Sequence, residues 1–261
     1  MNLVKQNLSI FLPELTKFIG DEQFPWDEID YKFDKKIESR FSKNPEGSII
    51  VEACIFDQIV SIKKRNTDYT GMMDFYNKLF YQLNTLLNKT EKKLILKTIR
   101  NLLVSFDSKY LNYLGELSAL YKLKQTNNFI LLDVEKVLPN GKSIDFDMMI
   151  KEPKMQVLIE ILNIQINPEK VEDDSNKICD FINGRIIEKL SVKKLNLVEE
   201  WNIHLVPIIW GGHKELEIYN KYFKNNSLDL PLTYEPLAFI TYYDNYNNYF
   251  PKFGAISSLF N

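Results

Sequence analysis

Four acidic residues sit where their chemistry could be shared. Glu116 falls in LGELSALYKLK and Asp145 and Asp147 in SIDFDMMI, while Glu160 is the only charge in the apolar run VLIEILNIQ. Carboxylates are the hard oxygen donors that Mg²⁺ and Mn²⁺ take, together with carbonyls and water. A cation held this way polarises a phosphoryl oxygen and activates water, so the reaction such a set would serve is phosphodiester hydrolysis. Of the four, Glu160 is the most informative, because a charge inside an apolar run is costly to bury without a partner. It admits two readings: a metal ligand, or one half of a buried ion pair with a Lys or Arg of the helix that follows.

These acids can cooperate only if the chain folds them together. Glu116 belongs to a run starting near Asp107 or Ser108 with Tyr110, Leu111, Leu114, Leu117, Leu120 and Tyr121 at helical spacing, which sets Glu116 close to the apolar face. After Lys124 the period changes. FILLDVEKV reads as a strand, LPNGK as a turn whose Asn140-Gly141 pair suits a tight hairpin, and SIDFDMMI as the hairpin partner. MQVLIEILNI is a third strand, apolar enough to be buried on both faces. Pro168 introduces a long helix in which Ile178, Ile182, Ile186 and Leu190 form an apolar stripe that merges into a basic edge at Lys189 and Lys193. WNIHLVPIIWGG is a fourth strand, and Pro207 within it argues for an edge position or a bulge. A short helix in HKELEIYNKYFK, a fifth strand in PLAFITYYD and an irregular aromatic tail from Asn245 complete the order. Strand alternation puts Asp145 and Asp147 on one face and Glu160 with Leu158 and Leu162, so on neighbouring strands Asp145 and Glu160 can converge.

A helix carrying Glu, a hairpin, Asp, a Glu in the next strand, then helix and strand: this order resembles the PD-(D/E)xK nuclease superfamily, the restriction-endonuclease-like fold, over residues 108–244. The resemblance rests on Glu116 as the helix acid, Asp145 in SIDFD and Glu160 in LIEIL. Ile144 stands at the family's Pro position and Leu162 at its Lys position. It implies an α/β fold with a mixed sheet flanked by helices and Mg²⁺- or Mn²⁺-dependent hydrolysis of DNA or, second, RNA. Asp145 and Glu160 would be the metal ligands, and Glu116 a third catalytic acid. In the family that Lys orients or activates the attacking water and offsets transition-state charge; leucine has neither a donor nor a charge. Two alternatives stay open: a lysine has migrated, from Lys122, Lys124, Lys170 or Lys177, or the fold is catalytically silent and binds protein or nucleic acid. A third reading makes it a small-ligand or structural α/β protein whose acids are unrelated surface charges.

Residues 1–107 read as a mostly helical region ahead of an α/β domain at 108–261, with no linker between them. Met72, Phe75, Tyr76, Leu79, Phe80 and Leu83 fall at helical spacing, and Leu94, Ile95, Ile99, Leu102 and Phe106 form a second stripe with a possible cap at Thr90. GSIIVEACIFDQIVSIKKR satisfies neither period well. The 261 residues carry a net charge of −2 and a pI near 5.9, which excludes a global positive field. Nucleic-acid binding must then come from a local basic surface such as 61–65, 92–100 or 189–194, or from stacking on TYYDNYNNYF. Cys54 and Cys179 lie far apart and, with only His204 and His213, make no zinc spacing; two buried thiols in a reducing compartment are expected. His213 reads as a turn residue at a helix start, His204 as a packed strand residue, and Gly211-Gly212 lacks any fuller phosphate-binding pattern. With no secretory leader pattern and no apolar run of the ~20 residues a spanning helix needs, the expectation is a cytoplasmic protein with no membrane role. The expected partner is nucleic acid, or a protein engaged by the helical N-terminal region. The oligomeric state stays open, a dimer included.

Overall fold

The computed structural model describes residues 3–20, 23–43, 54–64, 69–107, 109–165, 174–197, 201–212, 216–221, 237–243 and 249–259. The chain divides into two compact units, 1–117 with 243–250, and 118–242 with 251–261.

The first unit is helical: α1 (Leu3–Phe11), α2 (Pro13–Ile19), α3 (Trp26–Lys43), α4 (Ile55–Lys63), α5 (Thr70–Leu86), α6 (Lys89–Val104) and the beginning of α7 (Tyr110–Gln125). Its core holds Leu8, Leu12, Leu15, Ile29, Tyr76, Phe80, Leu83 and Ile99, all fully buried. The predicted α5 and α6 stripes therefore face inward. The cap of α6 is Asn88, not Thr90. Asn88 Oδ1 accepts from the amides of Thr90 and Glu91 at 2.9 and 3.0 Å, while Glu91 returns its carboxylate to the Asn88 amide at 3.0 Å, a reciprocal capping box. The ambiguous run around Cys54 becomes helical from Ile55 because Asp57 Oδ2 accepts from both the amide and the thiol of Cys54, at 3.3 and 3.1 Å. Burial first, and the Asp57 charge second, push that thiol up to about 12. The side chain of Cys179 lies outside the described ones. Arg100 of α6 reaches Glu28 of α3, with Nε on Oε2 at 2.9 Å and a second bond to Oε1.

The second unit is built on a six-stranded sheet in the order β1-β2-β3-β4-β5-β6. The strands are β1 (Phe129–Val137), β2 (Ser143–Ile150), β3 (Met155–Gln165), β4 (Ile203–Gly212), β5 (Leu237–Tyr243) and β6 (Tyr249–Ala255). β1, β2 and β3 are successive antiparallel neighbours, whereas β3, β4 and β5 run parallel, so the sheet is mixed. The parallel β3–β4 step is crossed by α8 (Ser175–Lys194), whose start is capped by Asp174 Oδ1 accepting from the Asn176 amide at 2.8 Å. From Val157 to Leu162 every residue of β3 is buried, as its apolar sequence predicts. Ile178, Ile182 and Ile186 of α8 pack on Leu162, Ile164, Leu205 and Ile209. The chain is thus an α/β protein with a mixed sheet, helices and a helical N-terminal region.

Two expectations are corrected. Pro207 lies in an interior strand, between β3 and β5, not on an edge. Pro207 pairs with Leu162 of β3, and the described pairing of β4 with β5 runs from Ile208 onward. The tail is not irregular: Tyr249–Ala255 adds the sixth strand and Ile256–Leu259 a 3₁₀ turn. An aromatic row draws it in, with Trp210 stacked on Phe239 at 4.0 Å and Phe239 against Phe253 at 4.8 Å. No helix among the described residues is long and apolar enough to cross a membrane.

Candidate functional site

The β2–β3 ladder ends at Phe146–Ile159. One register step further, Asp145 falls opposite Glu160, and backbone pairing gives way to side-chain chemistry. Asp145 Oδ2 accepts the amide of Ile161 at 2.6 Å, so a carboxylate satisfies a β3 donor where the ladder of β2 and β3 stops. β3 itself continues beside β4 as far as Gln165–Trp210. The sheet therefore opens at Asp145, and the two acids singled out in the sequence meet at the opening.

Glu160 is 1 % exposed and held by two lysines of α8, Lys189 Nζ at 2.8 Å and Lys193 Nζ at 2.9 Å, both on Oε1. These lysines are four residues apart, so one helix face presents both. They continue the row Ile178, Ile182, Ile186 that packs α8 on the sheet, as its basic end. Lys193 also donates to the carbonyl of Ser143, at the start of β2. Among the described residues Glu160 Oε2 is buried and accepts no hydrogen bond.

The half-buried Asp145 carboxylate and the buried Glu160 cannot both ionise freely when they lie on facing strand positions. Desolvation, then the Glu160 charge, pushes the Asp145 carboxyl up to about 7; the Ile161 amide, Lys193 and Lys189 pull the other way. A proton or a cation between the acids relieves the same repulsion. Among the described residues no group of three or more His, Cys, Asp or Glu forms a metal-ligating cluster. The side-chain ligands available to an ion are thus Asp145 and Glu160, and Mg²⁺ is commonly held by one or two carboxylates while keeping several waters. The orphaned Oε2 of Glu160 and the raised Asp145 carboxyl fit such an ion.

Leu162 is 4 % exposed and packs under α8 in the apolar cluster with Ile178, Ile182 and Ile186. A lysine there would be buried among isoleucines; the positive charge comes instead from the helix lying over the strand. None of the nominated lysines among the described residues fills this place. Lys124 is buried and donates to the carbonyl of Phe129 at 2.9 Å. Lys122 lies over the Tyr121 ring at 5.7 Å. Lys177 is exposed on α8 and, at ~1.5 Å per residue, about 18 Å along the helix from Lys189. Lys170 lies outside the described residues. The signal for Lys189 and Lys193 was their spacing, which extends the apolar row by further turns.

Asp147, the other acid of SIDFDMMI, is paired away from this centre. Gln156 Nε2 donates to both its oxygens at 2.7 and 2.8 Å, and Lys136, which also lies over the Trp201 ring at 5.9 Å, closes the ion pair. Glu116 is half-buried on α7, in the first unit. His204 is buried on β4, where desolvation and then the Lys194 charge lower its pKa. His213 and the tail segment 244–248 lie outside the described residues. Comparison with known proteins returned no match, whether to family models, to curated proteins or to solved structures.

Proposed function

We propose that the chain is a Mg²⁺- or Mn²⁺-dependent phosphodiesterase of nucleic acid, DNA ahead of RNA, with a PD-(D/E)xK-like site whose lysine is supplied by α8. The observation that carries this reading is the Glu160 carboxylate, anchored through one oxygen by two helix lysines while its other, buried oxygen accepts no hydrogen bond, together with the raised Asp145 carboxyl on the facing strand position. Asp145 and Glu160 would hold the ion. When bound, it would supply Lewis-acid stabilisation of the phosphoryl oxygens and a more acidic water. Asp145 is oriented by the Ile161 amide and Glu160 by Lys189 and Lys193, so neither carboxylate has to reorganise. Lys193, 12 % exposed and bonded to two strands, is the fixed positioning group; Lys189, 35 % exposed, is the one with freedom to meet a phosphate and offset its charge.

The test is nicking of plasmid and of single-stranded DNA and RNA with Mg²⁺ or Mn²⁺, comparing wild type with Asp145→Ala, Glu160→Ala, Lys189→Ala and Glu116→Gln. Loss of cleavage in the first three supports the assignment, and the fourth decides whether the helix acid takes part. Cleavage unchanged by Asp145→Ala and Glu160→Ala removes this site from the reaction. A second reading, a silent member of the fold that binds nucleic acid or protein, is favoured by one observation: the two lysines already neutralise Glu160. No cleavage, together with no Mn²⁺ binding by calorimetry, selects it.

A further inference from the structure

The outer face of α8 carries a stripe that the acidic site does not use. Ile178, Ile182 and Ile186 bury the inner face on the sheet, and Lys189 and Lys193 continue it to Glu160. At ~100° per residue, Asp180, Gly184, Ile187, Ser191 and Leu195 fall on the opposite side, within about 80° of one another. All five are exposed, Ile187 at 66 % and Leu195, the residue after the helix, at 61 %. One exposed apolar side chain is ordinary on a protein surface. Here, two of the five most exposed large apolar side chains among the described residues share one stripe, with the exposed Val192 on its flank. A Cβ added at Gly184 would meet nothing within 4 Å, so the middle of the stripe is uncovered.

The order along this face is symmetric about Ile187. Asp180 stands seven residues before it and Lys194, exposed at the edge of the stripe, seven residues after it. Between them and the centre lie two small residues, Gly184 and Ser191. Neither Asp180 nor Lys194 is in an ion pair among the described residues, while Arg185 and Glu188 on the flank pair with each other at 2.8 Å. A two-fold interface brings one patch against itself, so its charges have to be self-complementary. An antiparallel second copy with the two-fold at Ile187 meets that condition. It sets Asp180 of each chain against Lys194 of the other and small Gly184 against small Ser191, so the helices approach closely with the two isoleucines in contact. The helix dipoles oppose in this arrangement. A parallel pair would instead set Asp180 against Asp180 and Lys194 against Lys194.

We propose that the outer face of α8 is a self-association surface, joining two copies of this chain antiparallel about Ile187. A single helix face about 30 Å long makes a small interface, so the dimer is weak and concentration-dependent. This surface is independent of the Asp145–Glu160 centre, and its test uses no cleavage. Sedimentation velocity of the full-length chain from about 5 to about 300 µM reads the dimer fraction directly. Ile187→Asp sets two like charges on the two-fold axis and is expected to leave only monomer over that range; Ile10→Asp on α1, an equally exposed apolar position, is the control and leaves the dimer in place. Circular dichroism checks that both fold. Asp180→Lys and Lys194→Asp, each alone, turn attraction into repulsion at two places per dimer and should weaken it by roughly tenfold. An equimolar mixture of these two variants restores an acid opposite a base at both places and should dimerise as the wild type does. A wild-type chain that stays monomeric throughout the range, a dimer that Ile187→Asp leaves intact, a loss shared by Ile10→Asp, or a mixture no more dimeric than its components overturns the proposal.

Discussion

Lys193 and Glu160 meet at 2.9 Å, and the same ammonium donates to the carbonyl of Ser143, so one helix side chain ties β3 to the start of β2 where their ladder has ended. Glu160 is the shared anchor, since Lys189 also binds its Oε1. Removing one member of a buried ion group leaves the others desolvated and unpaired, at roughly 3–5 kcal/mol when burial is complete. Glu160→Ala is therefore expected to destabilise by about 3 kcal/mol, the lower end, because Lys189 can turn to solvent. Lys193→Met should cost more than Lys189→Met, in the order of their burial. Urea unfolding of the three variants checks both statements; equal losses for the two lysines would contradict the positioning role of Lys193.

Asp145 makes a pH prediction. Its carboxyl is pushed from 3.8 to about 7 by burial and by Glu160, so the folded chain keeps a proton that the unfolded chain releases. That contribution to stability is fully present below pH 3.8, declines between there and about 7, and is gone above. Asn at this position keeps an oxygen for the Ile161 amide but has no proton to lose. The stability of wild type relative to Asp145→Asn should fall as pH rises from about 5 to 8 in metal-free buffer, read as the difference in urea midpoints. A difference independent of pH would falsify the raised carboxyl.

Part of this arrangement was legible in the chain. The hairpin, the apolar β3 and the single charge inside it are written as local pattern, which is why Asp145 and Glu160 could be placed on converging strands. The reading of Glu160 as half of an ion pair with the following helix is what Lys189 and Lys193 make on Oε1; its reading as a ligand belongs to the proposal and would use Oε2. The lysine was not legible at its strand position because Leu162 answers to α8 packing on it, a tertiary demand that strand alternation does not express. The sixth strand was hidden for a similar reason: Phe253 joins the sheet through Phe239 and Trp210, partners that no local window contains.

Asn140 of the hairpin turn donates its amide to the carbonyls of Lys193 and Leu195, both at 2.8 Å. The turn thereby holds the end of α8, and with it the lysine on Glu160. Asn140→Ala should cost on the order of 1 kcal/mol from two partly exposed bonds, but, on the proposed function, should lower cleavage by more than that loss of stability explains. The adjacent Gly141 has φ +76°, with nothing within 4 Å of an added Cβ, so Gly141→Ala adds about 1–2 kcal/mol of backbone strain alone. Comparing the two variants at matched stability separates clamping from folding: activity falling equally in both would show that Asn140 does not position α8.

The same two carboxylates predict how a cation must bind. At pH 6 the Asp145 carboxyl is largely protonated, so an ion that takes both acids has to displace that proton. Mn²⁺ affinity is therefore expected to rise between pH 6 and 8, by up to about tenfold per pH unit below the folded pKa and levelling off above it. Proton release follows from the same linkage. Calorimetric titration at pH 6 in two buffers of different ionisation enthalpy should give heats whose difference corresponds to most of one proton per Mn²⁺, shrinking towards zero at pH 8. Asp145→Asn should abolish the buffer dependence, whereas Lys189→Met should leave it in place, because that lysine holds the oxygen of Glu160 opposite to the one available for the ion. Binding with no proton release at pH 6 would place the ion elsewhere and leave Asp145 and Glu160 as a closed ion-pair cluster.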